Sequence, residues 1–571
     1  MTKPLLFLDI ETMRYDLKSK KPDYFRDKIA TVQFLTEDGE FYIIKGEELA
    51  DLPAYKELFE SFTIIGHNLK FDCAMLKQQY GINIQSVYDT MIAELVIFGG
   101  PAPADSFVVE KDRNEKGMAL KNLVFRYCGQ QMSKGLQCSF RLGEELTGEQ
   151  IDYCRKDLEY LPIILKEQQE RIQELGLESI IETEMKMVPS TIWLELSGIH
   201  YDDERLRSIT SELQTIEKNL SYELYQVFGS SKFKLGSSPE MVKRFNEKGI
   251  MVQSINKEEL AKFDDPLIDK YTEWREHYDL IIKFVKTLPK HRYNKTGRVY
   301  ASFNQYGTKS GRFSCKYPNL QQQPSKYKKW RTLFTAEPGN KIVACDYSQI
   351  ELRILGEIAN EPEFIKAYSQ NMDLHKLTAS KVFSLPIESI SKESRERSIS
   401  KTINFGLNYG MSSPGLIKKL RTEAEIELSR PEADSYISTF EKSYSAITSY
   451  RQNISQRGVV EGELRNVAGR RLLIDASKDE NGAGREAMNL PIQSLCADMI
   501  KEALPEIQIK LEHLGVKLVN MVHDELVFEC KAEIADYVCQ VAKEEMIKSG
   551  SKYLKNIPCL VDGKISDYWE K

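Results

Sequence analysis

The 571-residue sequence has no apolar run approaching the ~18 residues of a membrane span. Its opening, MTKPLLFLDIET, reaches Asp9 and Glu11 after four apolar residues, short of a secretory core of at least about seven. The ten cysteines are scattered, with neither a CxxC pair nor a Cys/His cluster, which argues against structural zinc and for a reducing, cytoplasmic compartment. There are no internal repeats and no low-complexity tract. Between residues 280 and 336 there is not one Asp or Glu.

That acid-free window holds thirteen Lys and Arg, Lys283, Lys290 and Arg312 among them. The net charge of −6 therefore hides a basic stretch in an otherwise acidic chain. Aromatics and amides interleave with the cations at 303–306 and at 319–323, where Asn319 and Gln321 lie. Cations can meet phosphates and amides can meet sugars or base edges; a solvated basic face is the alternative reading. With 41% apolar and 29% charged residues, the chain is globular, and its length predicts two to four domains.

Residues 1–165 read as alternating strands and helices: strands at 5–10, 29–34 and 40–44, and a strand at 64–67 leading into a helix. A loop is expected at 100–117. Residues 150–235 are helical in pattern, punctuated by Pro189 and Gly198. A strand at 341–345 and a largely helical stretch at 364–420 follow. Two strands at 516–522 and 526–530 are joined by a tight turn.

In LLFLDIET, Asp9 and Glu11 sit two apart on a strand and share a face. In HNLKFD, Asn68 and Asp72 are four apart, opening a helix. In DYCRKD, Tyr153 and Asp157 are again four apart, so phenol and carboxylate share a helix face. Four carboxylates from three elements repel one another unless cations intervene, and Mg²⁺ or Mn²⁺ is the natural counterion. These motifs, in this order, resemble the DEDD-type 3′–5′ exonucleases of the tyrosine subclass. The resemblance implies an RNase H-like fold, two metal ions on Asp9, Glu11, Asp72 and Asp157, and Tyr153 orienting the attacking water. The segments YDTMIAELVI and LKNLV are similar to accessory segments of these nucleases.

A second set lies further on. The strand KIVACDYSQIELRIL ends at Asp346, as a cleft carboxylate or as the N-cap of the next helix. NMVHDELVF places His523, Asp524 and Glu525 at a hairpin turn. Between them, Arg397, Lys401, Phe405 and Tyr409 recur every fourth residue, making a helical stripe with a cationic and an aromatic end. DYSQIELR, RxxxKxxxFGxxYG and HDE in this order resemble the family A DNA polymerases, the bacterial DNA polymerase I group. TKSGRFSCKYPNLQQQP, DLHKLTASKVF, GREAMNLPIQSLCADMIK and ETEMKMVPSTIWLELSGIHYD extend the likeness over most of 182–571.

The resemblance implies a right-hand polymerase domain at 176–571, with a thumb near 200–297, a palm near 298–358 and 472–571, and fingers near 359–471. The exonuclease domain would occupy 1–175, making an α/β and α+β multidomain chain. Asp346, Asp524 and the Tyr347 carbonyl would hold two Mg²⁺ ions, with Glu525 as a supporting acid. Arg397 and Lys401 would grip the triphosphate of the incoming dNTP, Phe405 its sugar, and Tyr409 the template base. Glu351 would exclude a ribose 2′-hydroxyl. Arg312, Arg485, Asn489, Gln493 and His523 match positions that touch the primer–template or its terminus, His523 also lying close to the dNTP. Asn319, Gln321, Lys283 and Lys290 are further candidate DNA contacts. The partners expected are primer–template DNA and dNTPs, with no membrane, and the protein is expected to be a monomer.

The chain departs from the family pattern at several points. No Arg follows the proline of KYPNLQQQPSK, and Gly356 stands where Ala is usual, which points to packing. A 5′ flap-nuclease domain is expected to be absent, as is a long thumb insertion for a processivity factor. A single-subunit RNA polymerase is disfavoured by Glu351 and by the nuclease motifs. A catalytically spent DNA-binding protein is disfavoured by intact Asp346 and Asp524.

Overall fold

The computed structural model describes residues 3–16, 22–101, 117–133, 135–324, 327–475 and 477–570. Most of the loop expected at 100–117 lies outside them.

Five strands open the chain: β1 (Leu5–Met13), β2 (Lys28–Thr36), β3 (Phe41–Lys45), β4 (Thr63–Gly66) and β5 (Val87–Asp89). Their order is β3-β2-β1-β4-β5, with β1–β2–β3 antiparallel and β1–β4–β5 parallel. Leu6, Phe7, Leu8 and Ile10 of β1 are all buried. A central strand covered on both faces reads as such a continuous apolar run. Helix α1 (Lys70–Tyr80) follows β4, and Gly66 lets the connection close: a Cβ there would stand 2.6 Å from the Leu8 carbonyl oxygen. Asn68 does not share this helix with Asp72. It precedes it with φ 61°, and its N–H donates to Asp89 Oδ1 at 3.0 Å.

Helix α2 (Gly148–Glu159) begins at a capping box in which Thr147 and Gln150 bond each other's backbone. Helix α3 (Glu178–Ser197) runs straight through Pro189 rather than stopping there. Surrounding burial outweighs the lost hydrogen bond, and Gln508 Nε2 donates to the Pro189 carbonyl at 3.3 Å. Helices α4 (Asp203–Phe228) and α5 (Pro266–Leu280) then build a separate small core around Leu224, Phe245, Tyr271 and Trp274.

The second sheet contains β6 (Asn340–Tyr347), β7 (Lys517–Val522), β8 (Glu525–Lys531) and β9 (Val561–Ser566), ordered β7-β8-β6-β9 and wholly antiparallel. Helices α6 (Ile350–Ile358), α7 (Leu374–Phe383), α8 (Arg395–Asn408) and α9 (Glu480–Leu511) lie between β6 and β7, and α10 (Ala535–Gly550) packs on β6 and β9. Gly356 of α6 is a packing requirement: a Cβ there would meet Ile557 Cδ1 at 2.8 Å and Phe364 Cβ at 2.9 Å.

The acid-free window is not one basic face. Arg298 is buried and bonded to Glu529 at 2.5 Å; Lys309 pairs with Glu486 at 3.1 Å, Lys329 with Glu212 at 2.7 Å and Lys283 with Asp279 at 2.9 Å. Arg292 pairs with Asp203. Apart from Asp279, which adjoins the window, the acids come from elsewhere in the chain, so a local charge count misses them. Lys290 remains exposed.

Candidate active sites

The first site stands on the middle strand of the first sheet. Asp9 and Glu11 project from β1, and the helix α2 carries Asp157; one oxygen from each lies within 4.8 Å of the others. Glu11 and Asp157 are buried and Asp9 is half-buried. Gln33, opposite Asp9 across β1–β2, donates from Nε2 to Asp9 Oδ2 at 2.7 Å, while Thr31 donates to Gln33 Oε1 at 2.9 Å. The Thr31 hydroxyl thereby fixes which end of the amide faces the carboxylate.

Asp72 stands outside this close triad, its Oδ1 accepting the Ile10 N–H at 3.0 Å. Burial and the neighbouring Asp9 charge push its carboxyl well up. Tyr153, one turn before Asp157, is buried, and burial together with Glu11 and Asp157 raises its phenol far above the ordinary value. Such mutual repulsion among buried oxygens marks a donor set suited to a hard cation, which would reverse it. The three clustered carboxylates fit one; Asp72 joins as the nearby fourth acid.

In the second sheet, Asp346 is the penultimate residue of β6. It is not a helix cap: α6 starts after Gln349, which has φ 52°. The hairpin between β7 and β8 has a two-residue turn, His523–Asp524, with φ 58° at His523, the left-handed first position that such tight turns favour. The Tyr347 N–H donates to the Asp524 carbonyl at 3.3 Å, so the turn is seated on the end of the Asp346 strand. Two carboxylates and backbone carbonyls at the junction are the oxygen donors a Mg²⁺-type ion takes.

Glu525 is not in the turn. It opens β8 directly opposite Asp346, and its carboxylate accepts the Trp569 indole N–H at 2.9 Å and lies 3.6 Å from Arg331. Arg331 stacks over the Trp569 ring at 4.4 Å. These contacts commit Glu525 to the sheet's far partners rather than to the turn alone. Arg312 and Glu351, expected to meet different ligands, meet each other: guanidinium and carboxylate are 2.5 Å apart. Arg312 also lies in the field of Asp524 and the buried Cys496, which ties Glu351 to the same junction.

The cationic and aromatic stripe lies on α8, capped by the Ser394 hydroxyl, with Tyr409 just past its last turn. Arg397 is held by Asp373, Nε to Oδ2 2.8 Å, and Lys401 is exposed. Phe405 is half-buried against His375, ring centroids 5.7 Å apart. Tyr409 lines one surface depression with Arg485, Asn489 and Gln493 of α9. Gly410 makes that approach possible, since a Cβ there would stand 2.8 Å from Arg485 Cγ.

Two family models match this chain: "DNA polymerase family A" over residues 203–571 and "3′–5′ exonuclease" over residues 2–173. The chain belongs to DNA polymerase family A. It carries a 3′–5′ exonuclease domain ahead of the polymerase domain. It is 29% identical to DNA polymerase I of Aquifex aeolicus, over 100% of this chain and 96% of that protein. It is 30% identical to DNA polymerase I of Rhizobium leguminosarum, over 91% of this chain but about half, 52%, of the relative. A solved structure described as the POL domain of Pol1 from M. smegmatis in complex with DNA primer-template and dNTP superposes with a TM-score of 0.83 at 21% identity, covering 99% of this chain and 96% of that one. That likeness shows the fold.

Both domains of this family A polymerase are of metal-dependent kinds. Among the described residues no helix is long and apolar enough to cross a membrane. On the expected DNA-facing residues, Gln321 is engaged by the sheet, its Nε2 donating to the Met521 carbonyl at 3.2 Å, and Asn319 Oδ1 accepts the Gln321 N–H at 3.0 Å. Asn489 Nδ2 donates to the Arg485 carbonyl at 2.7 Å. The sequence reading missed Asp373, which caps α7 and holds Arg397. It also missed Gln33, which orients Asp9. The sequence signal for Asp373 was present in DLHKL, an acid at the start of a helical pattern.

Proposed function

We propose that the chain extends a DNA primer on a template from dNTPs at the β6–β8 junction and removes mismatched 3′ ends at the β1–α2 site. The observation that carries the reading is the seating of the Asp524 turn on the end of the Asp346 strand. This sets the backbone of Asp524 beside the end of the Asp346 strand, in the domain matched to family A. The primer–template and dNTP named for the mycobacterial structure are the ligands proposed here. The domains proposed are 1–175 for the exonuclease and 176–571 for the polymerase. Within the latter, 200–297 form a thumb, 298–358 with 472–571 a palm, and 359–471 fingers.

Asp346, Asp524 and the Tyr347 carbonyl would hold Mg²⁺ in the palm, and Asp9, Glu11, Asp72 and Asp157 in the exonuclease site. When bound, the ions lower the pKa of an attacking hydroxyl or water and neutralise the departing oxygen. The protein's part is placement. Arg397 exchanges Asp373 for the triphosphate, with Lys401 adding a second charge-assisted contact. Phe405 bounds the sugar, Glu351 occupies the space beside C2′, and Tyr409 with His523 flanks the terminal pair. Arg312, Arg485, Asn489 and Gln493, aided by Asn319, Gln321, Lys283 and Lys290, line the duplex. Minor-groove acceptors are shared by all base pairs, which permits a test of shape without reading sequence. In the exonuclease site Tyr153 orients the attacking water.

The test uses a labelled primer–template. Asp524→Ala is expected to abolish extension and spare 3′ trimming, and Asp9→Ala with Glu11→Ala the reverse. Loss of both activities in either variant contradicts two separate sites. Extension with rNTPs alone would favour an RNA polymerase instead.

A further inference from the structure

Cys345 and Cys539 form a contact that neither site uses. Cys345 lies on β6, one residue before Asp346, and points to the opposite face, against α10. Cys539 is half-buried on α10. The Cys345 thiol donates to the Cys539 carbonyl, Sγ to O 3.9 Å, and the two thiols lie close enough to shift each other's titration. Across the ladder Cys345 is paired directly with Gly563 of β9. A Cβ at Gly563 would stand only 2.5 Å from Cys539 Sγ. The glycine thus leaves a dimple in the sheet, and the Cys539 sulfur fills it beside Cys345. Any larger residue at 563 would displace the Cys539 sulfur.

Access and reactivity are unequal across the pair. Cys345 is buried, whereas Cys539 reaches solvent. The neighbouring Cys345 thiol, with the Lys543 ammonium in support, lowers the Cys539 thiol to about 7 despite burial, which leaves much of it as the nucleophilic thiolate at neutral pH.

We propose that Cys345 and Cys539 are an oxidation site, a dithiol that small peroxides convert to a disulfide joining α10 to the strand of Asp346. The Cys539 thiolate attacks one peroxide oxygen; the O–O bond breaks, giving a sulfenic acid and hydroxide, which takes up the proton the thiol released. The Cys345 sulfur then attacks that sulfur; the S–S bond forms, the S–O bond breaks, and the leaving hydroxide departs as water with the Cys345 proton. Two thiols lose two electrons and one peroxide becomes two waters. Closing the two sulfurs to an S–S bond of about 2.05 Å moves strand and helix on the ångström scale. A shift of that size next to a catalytic carboxylate costs on the order of 100-fold in rate.

The activity consequence rests on the palm being the polymerase site, and the experiment separates the two claims. Reduced full-length protein is treated with hydrogen peroxide, mapped as non-reduced peptides, and assayed for extension and for 3′ trimming before and after dithiothreitol. The expected result is a Cys345–Cys539 linked peptide, extension lowered about tenfold or more, trimming unchanged, and recovery on reduction. Cys539→Ser is expected to keep its extension through the same treatment. Absence of the linked peptide, undiminished extension in linked protein, or equal loss in Cys539→Ser would overturn the proposal. Failure of the untreated, reduced protein to extend at all would count against the palm reading, while the peptide map would still decide the disulfide.

Discussion

At the scale of single residues, the pairing of Glu351 with Arg312 sets two explanations of sugar choice against each other. Glu351 could exclude a ribose by its bulk, or act through the ion pair, 2.5 Å long. Both side chains are about one-fifth exposed, so the pair itself adds little stability, and its value lies in holding both groups still. Glu351→Gln retains the volume and loses the charge, whereas Glu351→Ala loses both. If bulk excludes the 2′-hydroxyl, rNTP use relative to dNTP rises about tenfold or more in Glu351→Ala, the size of a small steric term, and stays near the parent in Glu351→Gln. Steady-state incorporation of each sugar opposite one template base measures this. Equal relaxation in both variants would instead assign the selectivity to Arg312.

At the scale of elements, α7 and α8 meet through a neutral histidine. His375 is buried between them, bonded to Asn404 Nδ2 at 2.9 Å and tilted against the Phe405 ring. Burial lowers its imidazole to about 4, Arg397 and Lys401 adding to the effect and Asp373 opposing it. The folded form then binds fewer protons than the unfolded chain between about 4 and the ordinary ~6.5. Stability is therefore full above pH ~6.5 and falls as pH drops toward 4, by about 3 kcal/mol. An NMR titration of the His375 ring, assigned by loss of the signal in His375→Asn, is expected to show a midpoint near 4. A midpoint near 6.5 would mean that the α7–α8 contact opens readily to water. This element pair also shows where sequence reading stops. The stripe on α8 and the Asp9/Glu11 face of β1 were legible because the periods of 4 and 2 are local. Arg397's tie to Asp373, 24 residues away, was not, because partner choice is tertiary. The same limit explains the acid-free window, whose counter-charges Glu529, Glu486 and Asp203 are spread over the chain. It also explains Glu525, placed in the turn by sequence and on the strand by the ladder with Asp346.

At the scale of the whole molecule, one buried carboxylate takes part on both sides of the contact between the exonuclease and polymerase domains. Glu195 of α3 is 1% exposed. It accepts from Tyr24 Oη at 2.6 Å and Lys70 Nζ at 2.6 Å on the exonuclease side, and from the Phe303 N–H at 2.6 Å on the other. Lys70 also donates to the Phe303 carbonyl at 2.6 Å, and Phe25 stacks on Tyr293 at 5.0 Å. A second buried set, Glu184 with Arg470 and Lys501, joins α3 to α9 a few turns away. It binds the helix to the polymerase core and leaves Glu195 to serve the domain junction. Removing one member of a buried, hydrogen-bonded ion pair strands its partners and costs about 3–5 kcal/mol. Glu195→Ala would leave the Lys70 ammonium and the Tyr24 hydroxyl short of an acceptor at the junction. The expected result is a single calorimetric transition in the parent that separates into two in Glu195→Ala, with the exonuclease domain melting first. Glu195→Gln, which keeps an acceptor oxygen for Tyr24 or the Phe303 N–H, would fall between. Extension on a matched primer should be nearly unchanged in both, because Asp346 and Asp524 are held by their own sheet. Proofreading should suffer, because a frayed 3′ end must reach a nuclease domain no longer fixed relative to the polymerase domain. Unchanged melting in Glu195→Ala would show that the other contacts across the junction, Phe25 with Tyr293, Lys77 with Glu512 and Arg471 with the Ile97 carbonyl, suffice to hold the two domains together.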